Sequence, residues 1–463
     1  MIMNMTRRGL LAGVGASAIL LPLRAQKRVF DVRSYGAAGD GKTLDTAAIQ
    51  KAIDAAAAVG GGSQVLIPGG KHYLISTLVL KSGIDFHLAD DAELVVSSKQ
   101  ADYPAGSDGV ITARGAVGLK ITGTGNINGR YREFMTGYNK EGEIWEFGSF
   151  RPKIFVLTAC KELEIRDIHF GQAPQWGLHM LGCEHVLVDG IQIRNELDVP
   201  NCDGIDPDHC RDVEIRNCDI VCGDDAIVVK ATRQSEDFGP SARIHVHDCV
   251  LETKDSGVKI GTETVSDVYG VRFEKCQIKS SCRGLTIQLR DEGNVYDIDF
   301  NDIQFTARYQ APPWWGRGEA ISLTAIPRTK GGKIGRIHDV RVTNVKGRAE
   351  NSVRVSGTPE SRVSNVRLEK VDVTLDRWTS YPGGVFDNRP TGAYPDVEKH
   401  DTPGYSIRYA DNVVLQDCKL AWGEKRPDYF GSAIEAENAT GLQHPGFAGE
   451  AAHPERDKAI VER

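Results

Sequence analysis

One pattern of hydrophobic and polar residues recurs along most of the chain: apolar side chains occupy positions 1, 3, 6 and 8 of a short segment. Alternation of apolar and polar residues predicts a β-strand with one buried face, and each segment contains two such strands separated by asparagine, aspartate or glycine. Successive copies are 23, 27, 31, 27 and 27 residues apart. The clear copies begin at Leu163, Val186, Val213, Ile244, Val271 and Ile298, and weaker ones begin at Val366 and Val413.

Repeats of this length cannot bury an apolar face alone and must stack on one another. The pattern therefore predicts an all-β fold, a single-stranded right-handed parallel β-helix of about ten coils. Residues 45–59 have helical spacing instead, with Asp45 or Thr46 as the N-terminal cap. The apolar face of this helix consists of Ile49, Ala52, Ile53 and Ala56. Because a solenoid needs its open apolar end covered, we expect the helix to cap the first coil.

The first 25 residues have the features of an export signal. Arg7 and Arg8 precede a short apolar core at residues 12–23, and Ala25 is a small residue suited to a cleavage site. The paired arginines resemble a twin-arginine signal, and an ordinary secretory signal is the alternative. Both predict a periplasmic or secreted protein. The chain then divides into a signal (1–25), a β-helix (26–440) and a polar C-terminal tail (441–463) to which we assign no role.

Composition narrows the classes of function. The 463 residues include 63 acidic and 56 basic side chains, giving a formal net charge of −7 without a basic tail. This charge argues against a nucleic-acid partner. Since no run of 18 apolar residues is present, we predict no membrane span. We expect a monomer.

Ten cysteines in an exported chain raise the question of disulfides. Seven of them fall at two positions of successive repeats: Cys160, Cys183 and Cys210 at one, and Cys218, Cys249, Cys276 and Cys418 at the other. This spacing favours cysteines stacked as small apolar residues inside the coils. Bridges from Cys218 to Cys222 or from Cys276 to Cys282 stay open. No Cys or His set has zinc-ligand spacing, so we expect no metal site.

Candidate chemistry emerges when the coils are aligned on the glycine or alanine that opens one strand. The residue before it gives an outward column of Trp176, Asp203, Asp225, Ser256, Arg283 and Glu319. Two positions after it the column is His179, Asp206, Val228, Lys259, Thr286 and Ser322, and four after it Leu181, Asp208, Lys230, Gly261, Gln288 and Thr324. Neighbouring rungs of a β-helix lie about 4.8 Å apart, so these side chains form one patch.

Four aspartates meet within two rungs of this patch: Asp203, Asp206, Asp224 and Asp225. Like charges at that distance cannot all stay ionised, so at least one carboxyl should be protonated at neutral pH. An acid beside a base is what hydrolysis of an acetal requires. The alternative is that these aspartates merely fill β-helix turns or bind calcium there.

The segments 201–206 (NCDGID) and 223–226 (GDDA) resemble the two aspartate motifs of family 28 glycoside hydrolases, the polygalacturonases. Segments 30–37, 173–176 and the capping helix agree with this resemblance, which extends to about residue 389. It implies a pectate-lyase-like β-helix that hydrolyses pectic, galacturonate-containing polysaccharide with inversion, without metal or cofactor. Asp224 would be the general acid, and Asp203 with Asp225 would activate water. Inversion implies carboxyl groups about 6.5–9.5 Å apart.

Two departures from that family bear on the substrate. The family's Gly-His-Gly aligns with 255–257, which places Ser256 at the histidine, and its Arg-Ile-Lys aligns with Thr286-Ile287-Gln288. Those basic residues would bind the uronate carboxylate. We therefore predict a relocated anion clamp, since arginine suits bidentate carboxylate binding and lysine supplies a point charge. Its members would be Lys259, Arg283, Arg290 and Lys230, with solvated surface charges as the alternative interpretation.

Further contacts with the sugar are predicted around this patch. His179 hydrogen-bonds a sugar hydroxyl or is a satisfied surface histidine, and Asp206 and Glu319 lie in the outward columns. Trp314 and Trp315 lie in an inserted loop, where tryptophans stack on sugars or wall a cleft. A second aromatic loop covers residues 378–390. Such walls favour exo action on chain ends.

Three other functions stay open at this point. One is a rhamnogalacturonan hydrolase with the same chemistry. Another is a polysaccharide lyase or uronate epimerase, which needs a base for the C5 proton and often calcium. The third is a non-catalytic sugar-binding solenoid, because a fold alone does not specify a function.

Overall fold

The computed structural model describes residues 28–463, so the predicted export signal at residues 1–25 lies outside the described residues. Within the described part, no helix is both long and apolar enough to cross a membrane. Strands dominate, and their pairing is parallel except in two short hairpins. The predicted right-handed parallel β-helix is confirmed.

One face of the coil, which we name the front sheet, has 13 parallel strands in consecutive register. They are Leu78–Val79, Gly109–Arg114, Lys153–Thr158, Leu178–Leu181, Ile205–Asp208, Ile227–Ala231, Ser256–Thr264, Arg283–Leu289, Glu319–Ala325, Asn351–Ser356, Tyr405–Arg408, Ile434–Glu437 and Ile460–Glu462.

The remaining two faces form a single 24-stranded sheet made of two rows. The first back row is Val29–Asp31, Ser63–Ile67, Ile84–Leu88, Lys120–Gly123, Lys161–Arg166, Glu184–Asp189, Arg211–Arg216, Ser241–His247, Val268–Glu274, Val295–Asn301, Ile337–Ala349, Val363–Leu375 and Ala410–Gln416. The second back row is Asp40–Leu44, Lys71–Ile75, Ala92–Val96, Asn126–Asn128, His169–Gly171, Gln192–Arg194, Asp219–Cys222, Val250–Thr253, Gln277–Ser281, Gln304–Ala307 and Lys419–Trp422. Ile337–Ala349 and Val363–Leu375 pass through both rows and join them.

The sequence repeat corresponds to the two back rows and the corner between them. In one copy, Val186 and Val188 lie in the first row and Ile193 lies in the second, all buried. The corner residue adopts the left-handed conformation, with φ of 61° at Asp167 and 55° at Asn217. Aspartate and asparagine tolerate this conformation because their short polar side chains hydrogen-bond locally. This explains the turn residue that interrupts each copy.

The coil interior is filled by stacked side chains from successive rungs. Phe273 and Phe300 stack with ring centroids 5.2 Å apart. All ten cysteines are buried and free, so the interpretation of stacked apolar cysteines is confirmed and neither of the two open bridges forms. A continuous core of this kind makes the front sheet a rigid platform for a site.

The predicted capping helix is present as Thr46–Val59, with its apolar face fully buried against the first coil. Its predicted cap differs in detail. Asp45 precedes the helix but makes no capping hydrogen bond; its carboxylate accepts instead from the backbone N–H groups of Ala38 and Gly39, at 2.6 and 3.0 Å. Tertiary contacts of the neighbouring loop therefore outcompete the local cap.

The predicted C-terminal tail at 441–463 is wrong as a description of the structure, because these residues continue the β-helix. Residues Gln443 and Ala448 bridge to the preceding coil, and Ile460–Glu462 adds the last strand of the front sheet. The polar composition hid this coil, since few of its side chains point inward.

Two antiparallel hairpins extend from the coil near the cleft. Met135–Asn139 pairs with Ile144–Phe147, and Val385–Asp387 pairs with Val397–Lys399. Three short 3₁₀ segments complete the described structure: Val32–Tyr35, Gln100–Asp102 and Tyr131–Phe134.

Candidate active site

The register of the front sheet confirms the columns that the alignment of coils predicted. Ser256 pairs with Arg283, and Arg283 pairs with Glu319. Lys259 pairs with Thr286 on the next rung. His179 pairs with Asp206 on the rung that follows it. Side chains of equal position therefore stack in rows across one face.

Close packing of the rungs requires glycine at the start of some of these strands. A Cβ at Gly204 would lie 2.3 Å from the carbonyl oxygen of Ala226 on the next coil. Atoms cannot approach so closely, so only glycine lets the two turns stack. The tight turn at Gly204 holds the preceding residue, Asp203, on the same face as Asp224 and Asp225.

These carboxyls lie in a cleft of about 260 Å³ on the front sheet. Most of the lining residues are acidic, basic or aromatic, and a few loop residues close one side of the cleft. They are Asp203, Asp224, Asp225, Asp255, Glu263, Lys230, Lys259, Trp176, Trp314, Trp315, Asn201, Thr262, Ile144, Pro200 and Pro313.

Three carboxyls form the centre of the cleft. One oxygen from each of Asp203, Asp224 and Asp225 lies within 4.8 Å of the other two. These oxygen separations are shorter than the 6.5–9.5 Å expected between carboxyl groups. A water about 2.8 Å from each of two such oxygens still fits between them, because two hydrogen bonds can span more than the gap. The geometry thus allows one water to be held by a pair of aspartates.

Asp224 has the properties of an acid. Its two oxygens accept from the backbone N–H groups of Asn201 and Asp225, at 3.1 and 2.9 Å, which fixes its orientation. Burial, followed by the charges of Asp203 and Asp225, raises its pKa to about 7. Asp224 therefore keeps its proton over most of the range below neutral pH, while part of its surface faces the cleft.

Asp203 and Asp206 form a second buried carboxyl pair. Burial and the neighbouring Asp206 raise the pKa of Asp203 well above its usual value, and burial raises the pKa of Asp206 to about 7. Neither oxygen of Asp206 has a hydrogen-bond donor. A proton shared between the two carboxyls satisfies this arrangement, because two carboxylates in contact repel. Asp206 is completely buried and supports Asp203 from behind.

Two lysines compensate the acidic cluster. Lys259 Nζ donates to Asp225 Oδ2 at 2.7 Å. Lys230 Nζ lies 3.5 Å from Glu263, 3.6 Å from Asp203 and 3.7 Å from Asp206. Although burial lowers the pKa of both lysines, the surrounding carboxylates more than reverse this and raise it. Both ammonium groups therefore stay charged.

The structure adds a carboxyl that sequence reasoning did not select. Asp255 lines the cleft, accepts from Ser256 Oγ at 2.9 Å, and has a pKa raised to about 7, chiefly by burial and by Asp225. A signal was available: Asp255 precedes its column residue by one position, as Asp224 does one coil earlier. Glu263 was missed too, and no column or motif marks it.

His179 does not line the cleft. It is buried, its Nε2 lies 3.1 Å from Asp208 Oδ2, and burial lowers its pKa. Its ring meets the edge of Trp176 at 4.9 Å, so it positions a tryptophan that does line the cleft. His179 therefore borders the cleft only through Trp176, whose ring lies 4.5 Å from Lys153 Nζ and 5.0 Å from Lys230 Nζ.

Three other predicted contacts lie behind the cleft wall. Arg283 has no exposed surface and lies 3.4 to 3.8 Å from Asp255, Glu319 and Asp387. Glu319 is equally buried and accepts from the backbone N–H of Arg317 at 2.6 Å. The Arg290 guanidinium is buried and donates to backbone carbonyls of Leu289, Thr324 and Asn388. Of the predicted clamp, only Lys230 and Lys259 reach the cleft.

One side of the cleft is a wall made of three distant segments joined at Glu143. Its backbone carbonyl accepts from Trp314 Nε1 at 3.1 Å, and its carboxylate accepts from Lys254 Nζ at 3.2 Å and Tyr381 O–H at 2.5 Å. Trp314 is nearly buried, whereas Trp315 is half-buried beside Arg389. The two predicted aromatic loops and the 135–147 hairpin therefore form one structure.

The three central carboxylates are also close enough together to bind a cation. The Lys259 ammonium, however, already supplies positive charge beside Asp225. The raised pKa of Asp224 further weakens this group as a ligand set, because a metal binds the deprotonated form. The donor set fits acid–base chemistry with lysine counter-charges better than a resident metal.

The chain matches one protein family and several curated proteins. The family "Glycosyl hydrolases family 28" matches residues 60–381. The chain is 28% identical over 295 residues to a "Probable polygalacturonase" of Vitis vinifera, covering 57% of this chain and 58% of that protein. It is 28% identical to a "Polygalacturonase" of Chamaecyparis obtusa, covering 79% and 70%.

A solved structure, the family 28 exopolygalacturonase of Yersinia enterocolitica, superposes with a TM-score of 0.69 at 18% identity, covering 91% of this chain and 78% of that one. This likeness establishes the fold. The chain spans about three fifths of the length of the first curated relatives it matches, 58% and 60%.

Proposed function

The chain belongs to family 28 of the glycosyl hydrolases, and from this premise we propose that it hydrolyses α-linked bonds in pectic, galacturonate-containing polysaccharide. The observation that carries the proposal is geometric: Asp224, oriented by two backbone N–H groups, lies in an open cleft beside Asp225, which is ion-paired with Lys259. Burial raises the pKa of Asp224 to about 7. An acid and a base side by side are what hydrolysis of an acetal needs.

In this mechanism Asp224 donates its proton to the glycosidic oxygen as the bond to the anomeric carbon breaks. A water held between Asp225 and Asp203 attacks that carbon, and its proton passes to the carboxylate that holds it. Lys259 keeps Asp225 in place through the 2.7 Å contact. Attack from the face opposite the leaving group inverts the anomeric configuration.

Elimination and epimerisation are disfavoured by the state of the cleft lysines. Either reaction needs a base in its deprotonated form to remove the C5 proton. Lys230 and Lys259 are the basic side chains lining the cleft, and neighbouring carboxylates raise the pKa of both. A lysine that remains an ammonium cannot accept a proton, so hydrolysis is the better fit.

The test is product analysis on polygalacturonate and on rhamnogalacturonan, with reducing-sugar release, absorbance of unsaturated products and ¹H NMR of the first product formed. Hydrolysis with inversion is expected, so the initial anomer is the opposite of the substrate linkage. An unsaturated product absorbing in the ultraviolet would replace hydrolysis by elimination, and absence of any release from either polymer would leave only a binding role.

The wall joined at Glu143 supports exo action, because it closes one side of the cleft. We expect wild-type protein to release mainly monomers or dimers from chain ends. Glu143→Ala removes the acceptor for Tyr381 and Lys254, so it should shift products toward longer oligomers and speed the fall in viscosity per bond cleaved. Chromatography of early products together with viscometry measures this shift.

Two variants make the wall experiment specific. Tyr381→Phe deletes only the hydroxyl that donates to Glu143 and should give a weaker shift in the same direction. Glu146→Ala, an exposed residue on the same hairpin, is the matched control and should leave the product pattern unchanged. An unaltered product ladder in Glu143→Ala would show that the wall does not set the cleavage mode.

Export and oligomeric state are part of the proposal. The signal features at residues 1–25 support secretion of a mature chain beginning near Gln26. We expect a monomer. N-terminal sequencing of the exported protein and light scattering of purified protein test the two statements, and an uncleaved N-terminus or a dimer mass would contradict them.

A further inference from the structure

Every positive charge that lines the catalytic cleft already has an acidic partner. The lining includes five acidic side chains and two lysines. Lys259 is only 4% exposed and donates to Asp225 at 2.7 Å. Lys230 is 6% exposed and lies 3.5 Å from Glu263, the outermost of its three carboxylate neighbours. Neither ammonium is free to bind an incoming anion.

Two cations just outside the cleft lining are also held by protein groups. Lys254 contacts Asp198 at 2.5 Å and Glu143 at 3.2 Å. Arg151 donates to the carbonyls of Pro174 and Pro200 and to the side chain of Asn201. Together with the buried Arg283, these side chains hold the walls of the cleft. Among the residues that the structure describes, the two cations that line this cleft, Lys230 and Lys259, therefore both have carboxylate partners.

The positions where the family resemblance places uronate-binding cations are uncharged in this chain. Ser256, Thr286 and Gln288 are all buried on the front sheet. Gln288 donates to the carbonyl of Arg389 at 3.2 Å, and Thr286 Oγ has no partner. These groups carry no charge that could compensate a carboxylate, and none of them lines the cleft.

An anionic sugar in this cleft would lie beside acidic side chains with no free lining cation to pair with it, and like charges at contact distances disfavour binding. An uncharged sugar meets a better match, because its hydroxyl groups donate to carboxylate oxygens and its apolar face stacks on Trp176 or Trp315. From the paired lysines and the uncharged rung positions, we propose that the glycosyl unit whose bond is cleaved is uncharged: a neutral sugar, or a uronate masked as its ester.

This inference rests on the proposed function and specifies which unit of a pectic polymer occupies the cleft. Two sources supply uncharged units. One is a backbone in which neutral sugars alternate with galacturonate, and the other is homogalacturonan with methyl-esterified carboxyls. The two sources differ in the group that fills the cleft, so substrates matched in length separate them.

The experiment compares kcat/KM on four substrates of equal length: de-esterified oligogalacturonate, its methyl ester, and rhamnogalacturonan oligosaccharides ending at the nonreducing end in either the neutral sugar or galacturonate. We expect at least one uncharged-end substrate to exceed oligogalacturonate by tenfold or more, and the one that does identifies the source. Fastest cleavage of de-esterified oligogalacturonate would overturn the inference while leaving hydrolysis intact. No cleavage of any substrate would overturn the proposed function and the inference with it.

A charge variant tests the same point from the protein side. Glu263→Gln removes the outermost partner of Lys230, so its ammonium becomes available, and kcat/KM on oligogalacturonate relative to the uncharged substrate should rise about fivefold or more. The gain should appear mainly in KM and shrink as salt is added. Glu292→Gln, which neutralises a carboxylate paired with Arg233 outside the cleft lining, is the matched control. An unchanged ratio in a folded, active Glu263→Gln protein would contradict the inference.

Discussion

Replacing Asp224 by asparagine is expected to lower kcat for polysaccharide hydrolysis by about 10²–10⁴-fold, the range that a positioned general acid contributes. Asparagine preserves size and keeps one acceptor for the backbone N–H groups of Asn201 and Asp225. It cannot donate a proton to the leaving oxygen. KM should therefore change little, and the loss should appear in kcat, measured by reducing-end release.

The leaving group distinguishes an acid from a base. An aryl glycoside of the correct sugar leaves readily without protonation, so the loss in Asp224→Asn should shrink by an order of magnitude or more on that substrate. Asp225→Asn removes a residue that acts on water, and its loss should be similar on both substrates. Equal losses for Asp224→Asn on both substrates would move the acid role to another carboxyl, with Asp255 the next candidate.

Stability provides the control for this experiment. Asp212→Asn changes an aspartate that is ion-paired with Arg243 on the first back row, remote from the cleft, and should leave kcat unchanged. Asp224→Asn should be at least as stable as wild type near neutral pH, since it removes a buried acid that repels Asp203 and Asp225. A low Tm in Asp224→Asn would mean that the activity loss reports unfolding.

The fold was predictable because apolar residues recur at the same spacing in successive coils. Positions such as Val186 and Ile193 must face inward in each coil, and a left-handed corner residue such as Asn217 must separate them. Both requirements are local, so each copy carries its own signal. The last coil lacked that signal because residues 441–463 bury few apolar side chains, and its pairing with Ile434–Glu437 depends on the coil before it.

The sequence predicted which site residues share a column, but it did not predict how deeply each side chain is buried. Aligning coils gives the residues that share a column, and the register of Ser256 with Arg283 agrees with it. The alignment of coils does not show the burial of a side chain. Arg283 is covered by the 312–317 and 385–390 loops and cannot contact a sugar. Glu263 lines the cleft near the end of strand Ser256–Thr264, at a position that belongs to none of the aligned columns. Only the three-dimensional path of loops decides such cases.

Activity is expected to fall about tenfold for each pH unit above pH 7, because the rate requires one proton on Asp224. The pKa of this carboxyl is raised to about 7 by burial and by its acidic neighbours, so the acid form predominates below that value and the inactive carboxylate above it. The pH dependence of kcat/KM measures this limb. A profile that stays flat from pH 6 to 9 would contradict the assignment of Asp224.

Stability should follow the same proton. A carboxyl whose pKa is higher in the folded than in the unfolded chain stabilises the fold at low pH, and this stabilisation is lost as pH rises from about 4 through the folded pKa. Asp206, Asp224 and Asp255 all have a pKa raised to about 7, so Tm should decline between pH 4 and 7. In Asp224→Asn one of these three acids is absent, so the free energy of unfolding should fall less between pH 4 and 7 than in wild type, by a few kcal/mol at most, because one pKa unit corresponds to ~1.4 kcal/mol. The Tm difference between variant and wild type should therefore grow with pH while the rate limb above pH 7 disappears. Parallel Tm curves for the two proteins would mean that Asp224 titrates in the folded protein as it does in the unfolded chain, and its role as the acid would fail together with the predicted pH profile.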